Sequence, residues 1–341
     1  MTCPRVRASL WKIYSAAMHG GRGAQRKLET ARIYLEKALA RAPDNAHALA
    51  ALSDLLFVMG IRGFADFKEN AERARELRYA ALAADDSVGE VHTSLGAAFL
   101  YWDDEFEMAG TELRRGAELA PWYAPGRRLY GAWLKIAGRA QEALTEAQAA
   151  VALAPDAAFM LVGMADVLMT LGRYDEAIDP LRRALRLDGR YEAALERLEM
   201  SCHRAGRQEE ALDARRALLG LRGAEQRLLL LTERGAKEGW ASARAADLRA
   251  DVAELLVRAE VEDPFLDLRG SRQLSDRILI ALAELGEWNQ AMDWVERAYH
   301  RRPGRLRRIL TDLPYDHHGL ATDPRYARLL RTAGLDDLLA P

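Results

Sequence analysis

Cysteine is nearly absent from this chain of 341 residues: Cys3 and Cys202 are the only two. So far apart, they form no CxxC pair, no zinc-ligand spacing and no disulfide framework, which points to a reducing compartment and a cytoplasmic protein. Long apolar runs are missing as well. No window reaches the roughly 18 uninterrupted apolar residues of a membrane-spanning helix. Lys12 interrupts the N-terminal apolar stretch before signal-peptide length, and no hydrophobic segment precedes Cys3 to make a lipoprotein site. An excess of one charge is lacking too: 49 Lys and Arg stand against 51 Asp and Glu, a formal net charge of −2. That balance argues against a nucleic-acid binder, which draws much of its affinity from neutralising phosphates. There is no GxSxG, no P-loop, no GxGxxG after a strand and no HExxH. No stretch alternates as a strand between hairpin turns.

Half of the residues are apolar and 29% are charged, enough for a large core and too ordered a composition for global disorder. Arg outnumbers Lys and Ala is abundant, a bias that suits helices and a high-GC bacterial genome. The main feature is a repeat. Pro121, Pro155, Gly189 and Gly223 fall 34 residues apart, Gly138, Gly172 and Gly206 step in the same register, and so do Ala143, Ala177 and Ala211. AGRAQEALTEAQAAVALAP overlays LGRYDEAIDPLRRALRLDG and AGRQEEALDARRALLGLRG without a gap, and ELGEWNQAMDWVERAYHRRP repeats the pattern from Glu284 to Pro303. Each recurring residue has a physical reason. Gly closes a first helix, where a left-handed residue needs no Cβ. Ala opens the buried face of a second helix and lets the two approach. Pro or Asp-Gly blocks continuation. Between these marks the apolar residues keep helical spacing, as in Leu161, Met164, Ala165 and Leu168.

On those residues the chain resembles the tetratricopeptide (TPR) family. Gly96, Gly131 and Ala165 match its small first-helix site, and Ala109, Ala143, Ala177, Ala211 and Ala291 its first second-helix alanine. Ala38, Ala81, Ala150, Ala184 and Ala298 match the second such alanine, and Pro43, Pro121, Pro155 and Pro303 end units. The family's early first-helix aromatic is missing, and Asp86 and Gly189 replace two prolines. EVHTSLGAAFLYWDDEFEMAGTELRRGAELAPWYAP, and the ending DRILIALAELGEWNQAMDWVERAY with DPRYARLLRTAGL, are similar to TPR sensor regions of bacterial proteins. Such regions are fused to winged-helix regulators, adenylate cyclases or Ser/Thr kinases. Here the first repeat starts near Met1, so an effector domain is expected to be absent and none of those activities carries over.

The resemblance implies an all-α fold: a right-handed superhelical solenoid of about eight helix pairs, 1–341 as a single TPR solenoid. Clear repeats are expected at about 87–121, 122–155, 156–189, 190–223 and 270–303, with divergent units at 6–43, 44–86 and 224–265. A cap occupies 304–341, with a helix from Asp323 to Thr332, and 262–271 reads as a loop break. Each unit touches only its neighbours. The family's register places certain first-helix side chains on a concave groove. Here these are His47, Asp54, Phe57, Thr93, Tyr101, Arg128, Lys135, Phe159, Asp166, Met169, Met200 and His203. Aromatics and Met beside isolated charges suit a peptide groove; the alternative is that several of them pack against neighbouring helices. A clamp for a C-terminal carboxylate would need repeated Asn and Lys, and only Arg128 and Lys135 come near it.

Other clusters read as structural. Trp102-Asp103-Asp104-Glu105-Phe106-Glu107 matches a turn and a helix start, where acids favour the N-terminus, rather than a metal site. Tyr315-Asp316-His317-His318 reads as a polar loop before the cap. Arg301, Arg302, Arg305, Arg307 and Arg308 cluster near a helix end, where cations are favoured, although arginines so placed could also take an anion. Cys202 falls on a buried face, as a small hydrophobe rather than a nucleophile. The expectation is therefore a scaffold or adaptor that binds a protein or peptide partner in its groove, with no cofactor, metal or membrane. One alternative is a ligand-sensing subunit acting on an effector in trans. Another is a helical-repeat enzyme using His47, Asp54, Asp166 and His203, with 262–271 or 61–70 as a closing loop. The irregular 224–270 region leaves a homodimer open.

Overall fold

The computed structural model describes residues 24–61, 64–261, 274–301, 306–311, 320 and 322–336. Cys3, Arg302, Arg305, 262–271, the Tyr315–His318 cluster and the start of the first expected unit lie outside the described residues. Every regular element among the described residues is helical, and helices adjacent in sequence pack together. They form two compact units, residues 1–133 with 145–160, and residues 134–144 with 161–341.

The first unit begins with α1 (Ala24–Arg41), α2 (Ala46–Ile61) and α3 (Phe67–Ala84). α2 is apolar on nearly all sides, and Leu52, Leu55, Leu56, Val58 and Met59 pack with Leu28, Ala31 and Leu35 of α1 and Ala74 of α3. The α1 stripe runs through residues 28, 31 and 35, at i, i+3 and i+7, while Ala38, one step further along the same face, is exposed. The expectation of a helix-pair alanine at 38 is thus corrected: it lies on that face but outside the core cluster, which ends along α1 at Leu35 and the partly buried Leu39. Asp66 caps α3 by accepting a hydrogen bond from the Glu69 amide at 2.8 Å.

α4 (Gly89–Ala98) then runs into a π-helical turn, Phe99–Asp103, before α5 (Phe106–Leu119). Asp104 closes the turn in the left-handed region at φ 55°, where Gly is usual and Asp is tolerated, and the Glu105 amide reaches the Phe99 carbonyl at 2.9 Å. The expected turn and helix start at 102–107 are there, with a wider helical turn ahead of them. α6 (Ala124–Ile136) follows. Its Trp133 donates to the Phe106 carbonyl at 2.9 Å and lies parallel to both the Phe106 and Tyr130 rings. Parts of α7 (Ala140–Leu153) and α8 (Ala158–Thr170) complete this unit.

In the second unit the repeat is visible in the backbone. Gly138, Gly172, Gly206 and Gly286 have φ between 68° and 78°. After each, the next amide returns to the carbonyl five residues back: Arg139 to Leu134 and Arg173 to Leu168 at 2.9 Å, Arg207 to Cys202 at 2.8 Å, Glu287 to Leu282 at 2.9 Å. This is one helix-ending turn, made again at Gly223 and Gly334, and only a residue without a Cβ adopts it without strain. Each of the turns at Gly138, Gly172, Gly206 and Gly286 opens a helix with a fully buried alanine: Ala143 in α7, Ala177 in α9 (Tyr174–Leu187), Ala211 in α11 (Gln208–Leu221) and Ala291 in α15 (Trp288–Arg301). Between them lie α10 (Glu192–Arg204), α12 (Glu225–Glu238), α13 (Trp240–Val261) and α14 (Leu274–Glu284). α16 (Leu306–Thr311) and α17 (Pro324–Thr332) end the described chain, with Asp323 capping α17.

Candidate functional site

Within the first unit, residues of successive first helices meet in rungs. His47 of α2 lies 3.9 Å from Glu90 of α4. Asp54 of α2 accepts from the Ser94 hydroxyl of α4 at 2.5 Å. Phe57, one turn further along α2, meets the edge of Trp102 at 4.0 Å between ring centres. Tyr101 is half-buried in the π-turn. Thr93, expected on the groove, is instead buried, donates to the Gly89 carbonyl and packs against Gly116 and Gly126. The glycines leave room for it, so it is a packing residue.

α6 carries two adjacent arginines with opposite surroundings. Arg127 reaches both carboxylate oxygens of Glu146 at 3.0 and 2.9 Å and the Pro121 carbonyl at 3.2 Å. Arg128, about 100° further around the helix, lies over the buried Phe159 ring at 5.5 Å. Its Nε is buried and donates to no acceptor among the described residues. Stacking offsets part of the cost of holding the guanidinium there, but an unfilled buried donor remains.

Asp54 lies in a similarly demanding setting. Burial pushes its carboxyl up to about 6, against the opposing pull of the Ser94 hydrogen bond and of Arg78. Arg78 of α3 is 8% exposed, and its burial lowers its pKa although Asp54 and Asp103 act to raise it. Elsewhere in this unit, His92 is held between the Glu112 carboxylate at 2.6 Å and the Asp86 carbonyl at 2.7 Å, so both ring nitrogens face acceptors.

In the second unit the expected groove residues are largely occupied. Asp166 pairs with Arg197, which is buried and also donates to the Ala193 carbonyl. Met169 and Met200 are buried, while Lys135 and His203 are half-buried. Burial and the nearby Arg244 hold His203 below its usual value, and its Nδ1 has no partner among the described residues. Cys202 is fully buried, and burial pushes its thiol up to about 11, which leaves it an inert packing group.

The largest polar assembly in this unit was not legible as a site. Arg215 bonds Asp247 at 2.6 Å and Asp251 at 2.5 Å, and Arg227 bonds the same two carboxylates at 2.7 Å. Arg244 bonds Glu199 at 2.5 Å and Glu284 at 2.7 Å, and Arg204 closes on Glu284 at 2.6 Å. Arg222 reaches Glu192 and Glu196. Burial opposes the ionised Asp251, yet Arg215 and Arg227 hold its carboxyl down to about 2; Glu284 is likewise lowered, by Arg244 and Arg204 against its burial. A signal was present in the repeat frame: Glu199 stands where the preceding repeat has Ala165, and Arg215 where it has Leu181. Charge at positions that are apolar one repeat earlier marks a polar interface.

Four left-handed glycine turns, each opening a helix on a fully buried alanine, three of them 34 residues apart, decide the architecture. The fold is a TPR-type helical repeat. The model of the Coatomer epsilon subunit family matches residues 128–239 of this chain. Comparison with curated proteins found no match. Among solved structures, YrrB, described as a TPR protein with an unusual peptide-binding site, is 17% identical over 57% of this chain and 95% of its own, with a TM-score of 0.41. PilF of Pseudomonas aeruginosa is 20% identical over 64% of this chain and 93% of its own, with a TM-score of 0.44. The human IFIT1 dimer with PPP-AAAA is 14% identical over 81% of this chain and 69% of its own, with a TM-score of 0.48. No helix among the described residues is long and apolar enough to cross a membrane. No group of three or more His, Cys, Asp or Glu among them is placed to hold a metal ion.

Proposed function

We propose that this TPR chain is a scaffold that binds a segment of another protein along its first helices. In the first unit the binding residues are His47, Asp54, Phe57, Tyr101, Arg128 and Phe159. In the second, Lys135 and His203 are the more accessible of the expected residues, while Met169 and Met200 are buried and Asp166 is paired with Arg197. The observation that carries this reading is Arg128. Beside Arg127, which is paired with Glu146, Arg128 is stacked on Phe159 and lacks an acceptor for its buried Nε. An acidic group of a partner would pair with the guanidinium of this half-buried arginine, and an Arg on an aromatic platform is a common energetic anchor in protein interfaces.

The experiment is affinity capture from native lysate with the tagged full chain and with Arg128→Glu, followed by measurement of the enriched partner's affinity for both. The expected result is one protein enriched by the wild type and bound about 30-fold more weakly, or worse, by the variant, a loss of about 2 kcal/mol. Equal capture by both proteins, or no protein enriched by either, overturns the reading.

A further inference from the structure

His92 of α4 is buried, at 7% exposure, between two acceptors. Its Nδ1 lies 2.6 Å from Oε2 of Glu112 on α5, and its Nε2 lies 2.7 Å from the Asp86 carbonyl in the turn between α3 and α4. A carboxylate and a carbonyl only accept, and a neutral imidazole has a single N–H. The ring serves both partners only as an imidazolium. With one proton fewer, one of these short contacts would set two acceptors against each other and leave a buried polar group unmatched.

Glu112 has a second place to go. It borders a cavity of about 300 Å³ that is also lined by His92, Thr111, Arg114, Arg115 and Glu118. Arg115 is exposed and has no hydrogen bond or ion pair among the described residues. It stands three residues beyond Glu112 on α5, within side-chain reach on one side of the helix. We propose that His92 and Glu112 form a pH-operated clasp. On the acid side His92 carries two protons and holds Glu112; when the second proton leaves, Glu112 exchanges His92 for Arg115. The other charged groups about the ring are Arg114 and Glu118 on the cavity wall, Asp85 in the turn, which accepts from Ser87, and Glu90 of α4, which faces His47 of α2. The clasp ties α5 and the turn before α4 to the helix that also carries Ser94 and Glu90, the partners of Asp54 and His47. Its hold is present while the second proton is bound and is lost as pH rises.

The test uses the full chain with isotopically labelled histidine, whose ring nitrogens are followed by NMR from about pH 5 to pH 9. The His92 signals are assigned by their loss in His92→Gln, or, if that variant fails to fold, by their displacement in Glu112→Asp. The expected result is a proton on both ring nitrogens at the acid end and the loss of one as pH rises. Wild type should hold that second proton about tenfold more tightly than Glu112→Gln, which has no carboxylate to favour the cation. Arg115→Gln removes the second partner and should keep the proton on His92 to higher pH than wild type. Arg114→Gln removes the same charge two residues from Glu112, where side chains do not meet, and should shift it less. A single proton on His92 at every pH places the second one on Glu112 and overturns the clasp. Equal titrations of wild type and Glu112→Gln overturn it as well, and equal shifts in the two arginine variants overturn the exchange of partners.

Discussion

Asp54 keeps its carboxylate at neutral pH only against its surroundings. Its folded value of about 6 lies above the unfolded 3.8, so the folded chain binds the proton more tightly. The stability this gives is present below the unfolded value and is lost as pH rises from about 4 to 6, a loss of about 3 kcal/mol by linkage. Asp54→Asn removes the charge and keeps an oxygen for the Ser94 hydroxyl. It should melt higher than wild type at pH 7.5, by about 1–3 kcal/mol of stability, and the gap should close toward pH 4. A variant that melts lower at pH 7.5, or a gap independent of pH, counts against this account. A residue that weakens the fold where the protein works fits a role in binding rather than packing.

At the scale of the helix pair, close approach is what the small residues permit. Gly110 of α5 lies directly under the Trp133 indole, and a Cβ there would come within 2.2 Å of Cζ2. Trp133 is fixed by its bond to the Phe106 carbonyl and by two parallel rings, so it cannot move aside cheaply. Gly110→Ala should therefore cost about 1–3 kcal/mol by overpacking, read as a lower denaturation midpoint. A change under about 0.5 kcal/mol would show that the ring shifts freely. The pairing logic was legible in the sequence because a turn that requires a left-handed glycine and a contact that requires alanine repeat at one spacing. Other features were not. Thr93 fits the groove register, and only its contacts with Gly116 and Gly126 reveal it as packing. The π-turn at 99–103 has no glycine to announce it. The Arg–carboxylate network joins residues on different helices, and a sequence scanned for compact motifs passes over it, although the departures from the repeat at 199 and 215 were there to read.

Across the whole molecule, the two compact units have opposite dependences on acid. In the first, the cost of the Asp54 charge disappears as pH falls to 4. In the second, Asp251 and Glu284 have folded values below their unfolded ones, so their contribution is present above pH 4 and is lost as pH falls toward about 2. Asp251 alone accounts for about 2 kcal/mol. Hydrogen exchange corrected for its intrinsic pH dependence should show α10–α14 losing protection between pH 4 and pH 2 before α2–α4 do. Loss of protection in α2–α4 first, or in both regions together, would contradict the assignment. Helical repeats admit such partial opening because each helix depends chiefly on its neighbours.

The same charged residues have a consequence for assembly. Repeats of one length and one apolar pattern are nearly interchangeable as neighbours, so a chain built only of them could stack one repeat out of place or exchange a repeat with another copy. Where α8 carries Ala158, Val162 and Ala165, α10 carries Glu192, Glu196 and Glu199. Of these, Glu199 is buried against Arg244, and a misplaced neighbour without that arginine would leave its carboxylate buried and unmatched, at a cost of several kcal/mol. The buried ions thus act as an address, admitting one neighbour among many of nearly the same shape.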